Sequence, residues 1–200
     1  DWEHTVYGCD QEIIPKDAPP PKGKFVTLTY YVDANLMHCI LTGKSVTGII
    51  HLLNGTPIDS FSKKQATVET ATYGSEYTAA RTCVEQLIDL RLSLRYLGVP
   101  IRRSSYSFGD NASCVNSSSV PHGKLHKRHL ILSYHRVREA IASKIFLFYH
   151  IPGANNPADI VSKHWGYSQI WPLLKTILFW EGDTAELIDP EDSTTPKDTL

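Results

Sequence analysis

Asp33 ends a run, residues 25–33, that is otherwise aromatic, aliphatic or β-branched (Phe-Val-Thr-Leu-Thr-Tyr-Tyr-Val-Asp). Three more acids lie inside or at the edge of apolar stretches: Glu76 in Gly-Ser-Glu-Tyr, Asp110 in Phe-Gly-Asp-Asn and Asp159 in Asn-Pro-Ala-Asp-Ile. A lone carboxylate is expensive to bury. A chain with four of them is most easily reconciled with a fold that gathers them around a cation. Carboxylates and water are the ligand set that suits magnesium or manganese, and the order Asp, Glu, Asp, Asp along strands and helices points to a two-metal phosphodiesterase. Asp110 beside Asn111, and Asp159 in a helix's first turn, each have a structural alternative as helix-start carboxylates. Asp33 within a strand and Glu76 at the head of an apolar stripe have no such alternative.

Two hundred residues suit one domain of about 150 residues with flanking segments. An apolar share of 42% is enough for one sizeable core. No apolar run approaches the roughly 20 residues that cross a bilayer, so no membrane partner is expected. The start, Asp1-Trp2-Glu3-His4, has neither initiator Met nor a basic-then-apolar leader, which reads as a piece of a longer chain. Cys9, Cys39, Cys83 and Cys114 are scattered, without a Cys-x-x-Cys pair. That spacing argues against a zinc knuckle or a disulfide scaffold and fits a reducing compartment; Cys83 reads as a small core residue.

The formal net charge of −1 conceals an uneven distribution. Residues 181–200 hold seven acids against Lys197, which leaves 19 Lys and Arg against 14 Asp and Glu, or +5, in residues 1–180. Between Asp110 and Glu139 there is no acid, while Lys124, Lys127, Arg128, Arg136 and Arg138 all fall there. Such a stripe suits a phosphate backbone; a solvated helix face is the plainer alternative.

Residues 1–24 read as a connector, because Ala18-Pro19-Pro20-Pro21-Lys22-Gly23 favours an extended chain that carries no helix. Residues 25–165 form the expected domain. Within it, 25–33 reads as a strand ending on Asp33, and 46–53 and 56–61 flank Asn54-Gly55, a strong hairpin signal. In the next segment Glu76, Ala80, Cys83, Leu87, Leu90, Leu94 and Leu97 step by fours and threes, placing them on one face of a long helix that Gly98 and Pro100 end. Residues 106–109 read as a strand delivering Asp110, 129–142 as a helix and 145–151 as a fifth strand. Asn156 then caps a helix with Pro157 at its first position. Residues 166–182 suit an added helix, with Trp171, Leu174, Ile177 and Leu178 at helical spacing. The acidic tail 183–200 reads as disordered. This order predicts an α/β fold with a mixed five-stranded sheet, its first three strands antiparallel, flanked by helices.

Six segments together resemble the ribonuclease H domain of copia-type retrotransposon polyproteins. They are Tyr-Val-Asp-Ala (31–34), Ser-Lys-Lys-Gln-Ala-Thr-Val-Glu (62–69), Ser-Glu-Tyr-Thr-Ala (75–79), Gly-Asp-Asn-Ala-Ser (109–113), His-Leu-Ile-Leu-Ser-Tyr-His-Arg-Val-Arg-Glu (129–139) and Asn-Pro-Ala-Asp-Ile-Val-Ser-Lys (156–163). Each is weak alone; together they keep the family's order and spacing. The resemblance implies that Asp33, Glu76, Asp110 and Asp159 are catalytic metal ligands for two Mg2+ or Mn2+ ions. It also implies cleavage of the RNA strand of an RNA–DNA hybrid, leaving 5′-phosphate and 3′-hydroxyl ends. Phosphodiester hydrolysis needs an activated water, a charge sink and help for the leaving oxygen, which two divalent ions about 4 Å apart supply together. Asp33 is expected to be shared by both ions, with Asp159 on one side and Glu76 and Asp110 on the other. The family often carries a second acid shortly after the first, where this chain has Asn35.

Hybrid binding is expected to rest on phosphate and 2′-hydroxyl contacts, with Gln65 and Asn111 near the site and Lys63, Lys64, Lys124, Lys127 and Arg128 for phosphates. Lys63 and Lys64 also read as edge-strand solubilisers. By the same resemblance, His150 is a candidate for helping product leave. His122, His126, His129 and His135 lack the closer pairing of a zinc site, so packing or phosphate contacts suit them better. The resemblance further implies a reverse transcriptase domain of the same polyprotein as partner, ending in the connector 1–24, and a place in the cytoplasm, in a retrotransposon particle, or in the nucleus. Two alternatives are a catalytically silent module of the same fold, kept for nucleic-acid or polyprotein interaction, and an integrase-like nuclease, whose last carboxylate is placed differently.

Overall fold

The computed structural model describes residues 2–8, 12, 14–102, 104–125 and 127–178. The acidic tail 183–200, Cys9 and His126 lie outside the described residues.

Strands β1 (Leu28–Cys39), β2 (Lys44–Leu53) and β3 (Thr56–Lys64) form an antiparallel meander. Asn54 and Gly55 turn the β2–β3 hairpin with φ of 51° and 83°, the paired positive values that a two-residue turn between twisted strands requires. β1 does not stop on Asp33, as its composition suggested, but continues to Cys39. Asn35 still pairs with Val46, and an irregularity with Met37 at φ 52° carries the more polar end of the strand to the turn. Asp33 therefore lies mid-strand.

Helix α2 (Thr72–Tyr96) follows, and its buried face includes Glu76, Ala80, Cys83 and Leu87 as the spacing predicted. The stripe loses its cover toward the C-terminus: Leu90 and Leu94 are half-buried and Leu97 is exposed. Gly98, at φ 76°, closes the helix by donating its N–H to Arg95 while Val99 donates to Leu94, the double bond of a Schellman end. β4 (Ser105–Gly109) and β5 (Phe146–His150) add in parallel beside β1, giving the sheet order β3-β2-β1-β4-β5. Between them come α3 (Ala112–Ser119) and α4 (Ile131–Ala142), the latter entered through a tight turn at Arg128–Leu130. The chain then passes through α5 (Asp159–Ser162) and α6 (Tyr167–Ile177). The mixed five-stranded α/β fold expected from the sequence is the one observed.

Leu28, Tyr30, Val32 and Ile49 of the sheet pack in one apolar cluster with Ala80, Cys83 and Leu87 of α2 and Val137 and Ile141 of α4. In a second cluster, Ile50 and Leu52 meet Ile160 and Val161 of α5 and Leu174 and Ile177 of α6. β2 is thus covered on both faces, which explains its near-continuous burial. Each such side chain contributes about 1.5–3 kcal/mol on burial, enough to hold short α5 against the sheet beside Asp33.

The segment read as a connector is packed against the domain. In α1 (Trp2–Tyr7) the indole of Trp2 lies under the Arg138 guanidinium at 3.9 Å, and the Tyr7 hydroxyl shares a hydrogen bond with His135 Nδ1 at 2.7 Å. Glu12 accepts Arg91 Nε at 3.1 Å and Nη2 at 2.6 Å, and Arg95 Nη2 at 2.6 Å. The proline-rich residues 18–22 carry no helix, as expected.

Candidate active site

Asp33 follows Val32, whose pairing with Gly109 is the last rung between β1 and β4. Where the two parallel strands part, their next residues, Asp33 and Asp110, look into the same opening. Glu76 reaches it from the second turn of α2 and accepts the Ala34 N–H through Oε1 at 3.3 Å. One carboxylate oxygen from each of Asp33, Glu76 and Asp110 lies within 4.8 Å of the other two. The three line a cleft of about 330 Å³ together with Asn35, Asn111 and Lys163.

Burial, and then the neighbouring charges of Asp33 and Asp110, hold the Glu76 carboxyl well above the usual carboxylate range. Burial and the Asp33 charge raise Asp110 as well. Three carboxylates this close favour shared protons or a bound cation over three free charges. All-oxygen donors match a hard divalent ion, so the donor set fits magnesium or manganese. Among the described residues this is the cluster with the spacing of a metal site.

Asp159 stands beside this triad. Its Oδ1 takes Lys163 Nζ at 2.5 Å, and the same ammonium lies 3.7 Å from Asp33 Oδ2. Burial pushes the Asp159 carboxyl up to about 6, with the Lys163 hydrogen bond opposing and the Asp33 charge adding. Ser162 Oγ donates to Asp33 Oδ2. Asn156, fully buried, sets this arrangement: its Nδ2 donates to Val32 O at 3.0 Å, and its Oδ1 accepts Ala158 N–H at 3.2 Å. The side chain expected to cap a helix beginning at Pro157 instead bridges the turn ahead of α5, which starts only at Asp159, and pins that turn to β1. Asn35, where the resembling family often has an acid, donates to His38 Nδ1 at 2.8 Å and to Ser162 O at 3.4 Å.

The candidate hybrid-binding residues divide. Asn111 lines the cleft while its Oδ1 caps α3 through Cys114 N–H at 2.9 Å. Lys124 and Arg128 are exposed on the basic segment, and Lys63 and Lys64 are exposed on edge strand β3. Gln65 is not available as expected: it is buried, and its Nε2 is spent on Thr47 Oγ1 at 3.0 Å and Ser75 O at 2.8 Å, bracing the end of β3 against α2. Lys127 is half-buried, donating to Thr70 Oγ1 at 2.9 Å with Glu69 3.8 Å away. His129 donates to the same buried Glu69 at 2.9 Å, the packing contact preferred over a zinc site. His150 ends β5, and its Nε2 donates to Asp110 O at 3.1 Å.

Sequence reasoning missed Lys163, Ser162 and Gly48. The spacing of Lys163 four residues after Asp159 was a readable signal. Gly48 carries no local signal, because its importance comes from lying opposite Asp33 in the β1–β2 register.

No protein-family model matches the chain. It is 29% identical over 133 residues to the retrovirus-related Pol polyprotein from transposon TNT 1-94 of Nicotiana tabacum, covering 66% of this chain and 10% of that protein. It is 25% identical over 142 residues to the corresponding polyprotein from transposon RE2 of Arabidopsis thaliana, covering 71% and 10%. The chain thus spans about a tenth of the length of these curated relatives. The fold is similar to the N-terminal RNase H domain of a Mycobacterium tuberculosis protein solved as a maltose-binding-protein fusion, with a TM-score of 0.53 at 13% identity over 76% of this chain and 98% of that one. It is also similar to LC11-RNase H1 solved in complex with an RNA/DNA hybrid, with a TM-score of 0.50 at 17% identity over 65% and 88%. The chain therefore has a ribonuclease H-like fold and is distantly similar, over about 70% of its length, to copia-type Pol polyproteins.

Proposed function

We propose that this domain is a metal-dependent endonuclease that hydrolyses the RNA strand of RNA–DNA hybrids during reverse transcription of a retrotransposon. The observation that carries the reading is the convergence of Asp33, Glu76 and Asp110 on one open cleft. Divalent ions bound there would supply a reactive water at neutral pH and a charge sink for the scissile phosphate. Asp33, Glu76 and Asp110 would hold them, with Asp159 offering a fourth carboxylate next to Asp33. Glu76 also keeps the Ala34 backbone, and with it β1, at a fixed distance from α2. Asn111 faces the bound strand from the cleft wall, and Lys124 and Arg128 meet phosphates beyond it. Such contacts read A-like shape and backbone, so binding is salt-sensitive and nearly independent of sequence. The hybrid bound by LC11-RNase H1 and the polyprotein setting of the relatives support the substrate. The partner on this reading is the reverse transcriptase domain of the same polyprotein, and the place of action a retrotransposon particle in the cytoplasm or the nucleus.

One observation favours a second reading, a catalytically silent module: the Lys163 ammonium already balances charge between Asp33 and Asp159. The two separate on a labelled hybrid incubated with magnesium or manganese, comparing the chain with Asp33→Asn. Metal-dependent cutting of the RNA strand, lost in the variant, is the expected result. Salt-sensitive binding without cutting selects the silent module, and no binding at all sinks the endonuclease reading.

A further inference from the structure

We infer that Lys163 is a built-in competitor for the second metal position of this site, so that divalent ions load one at a time, the second only by displacing the ammonium. The inference rests on the metal-dependent reading above. Asp159 is the carboxylate left over once Asp33, Glu76 and Asp110 are grouped, so a second ion would draw on it beside Asp33, and Lys163 Nζ stands there, 3.7 Å from Asp33 Oδ2 and 2.5 Å from Asp159 Oδ1.

The chain's own geometry keeps the ammonium there. Lys163 N–H donates to Asp159 O at 3.1 Å, closing the turn of α5 that places the two side chains on one face. The Asp159 carbonyl also accepts Trp165 Nε1 at 2.7 Å, and Ser162 between them is tied to Asp33. The lysine is thus delivered to the carboxylate pair by the backbone turn of α5, braced by Trp165. Its side chain is only 34% exposed, so the pairing is less screened by water than a surface ion pair. A point charge on a flexible four-carbon stem can nevertheless swing out without moving the helix. The Asp33, Glu76 and Asp110 side has its carboxylates grouped within 4.8 Å, and it takes the first ion.

Calorimetric titration of the 200-residue chain with Mn2+ tests this, using Lys163→Gln, Lys163→Arg and Asp33→Asn, each shown to be folded by its thermal melt. Wild type is expected to bind one ion well and a second more weakly. Lys163→Gln should tighten the second by about tenfold or more while leaving the first within about twofold, and Lys163→Arg, which keeps the charge, should resemble wild type. If Lys163→Gln leaves the second ion unchanged or weakens it while Asp33→Asn abolishes the first, Lys163 merely positions Asp159 and the inference falls alone. If Asp33→Asn binds Mn2+ as wild type does, the metal reading falls and takes the inference with it.

Discussion

Gly48 lies directly across the β1–β2 ladder from Asp33, and its missing side chain is what lets α5 reach the carboxylate. A Cβ at position 48 would sit 2.7 Å from Ala158 O, 2.8 Å from Ser162 Cβ and 2.9 Å from Ser162 N. Those neighbours are mostly main chain and cannot rotate away. Gly48→Ala is therefore expected to cost about 1–3 kcal/mol as an overpacked contact. It should also lift Ser162 and Asp159 away from Asp33. Denaturant unfolding and hybrid cleavage measured on one preparation check both effects. A variant with wild-type stability and cleavage would show that α5 tolerates displacement.

Asn156 serves the same purpose from the other side. Its fully buried amide bridges Val32 O and Ala158 N–H. Asn156→Ala strands these two backbone groups, each at about 1–3 kcal/mol when buried. Asn156→Asp keeps an acceptor for Ala158 but has no donor for Val32, and it buries a charge against a carbonyl. The Asp variant is expected to be at least as destabilised as the Ala variant in urea unfolding. An Asp variant as stable as wild type would rule out the bond to Val32.

What the sequence made legible was local or periodic. Asn54-Gly55 announces a hairpin, the spacing from Glu76 to Leu87 a helix face, and Gly98 with Pro100 a helix end, because each signal lies within a few residues. The convergence of Asp33, Glu76 and Asp110 was also readable, since each acid stands where an isolated charge is costly. Register and long-range pairing were not. Gln65 reads as a polar residue near the site, yet the end of β3 turns its amide inward to Thr47 and Ser75. Lys127 reads as a free phosphate contact, but Thr70 and Glu69, more than fifty residues away, take part of its capacity. Leu97 belongs to the apolar stripe by spacing, and α2 simply outruns the surface that covers it.

The N-terminal segment shows the same limit with a larger energetic consequence. Glu12 and Arg91 lie 79 residues apart in sequence, yet the Arg91 side chain is fully buried and held by both Glu12 oxygens. Removing one partner of a buried ion pair typically costs about 3–5 kcal/mol, because the other is left short of its counter-charge. Glu12→Gln is expected to lose stability on that scale, and a chain beginning at residue 25 should lose at least as much. Replacing both partners, as in Glu12→Leu with Arg91→Met, should recover part of it. A truncated chain with an unchanged urea midpoint would place the whole N-terminal segment outside the folding unit.

Glu76 gives the site a pH dependence whose sign is fixed. Its carboxyl is held well above the usual range by burial and by Asp33 and Asp110. A group with a higher pKa folded than unfolded stabilises the fold fully below its unfolded value, about 4.3 for Glu. That contribution is lost as pH rises through the folded value. In chelator the melting temperature should therefore fall as pH climbs from about 5 to about 8. Asp110 and Asp159, both raised, add to the same slope. Glu76→Gln should flatten it, since the amide has no proton to lose. Magnesium or manganese binds the native state and prefers the ionised carboxylates, so its stabilising effect should grow with pH. That growth should vanish in Asp33→Asn. A flat profile for wild type in chelator would mean that Glu76 stays ionised in the fold, against the burial and the Asp33 and Asp110 charges that raise its pKa.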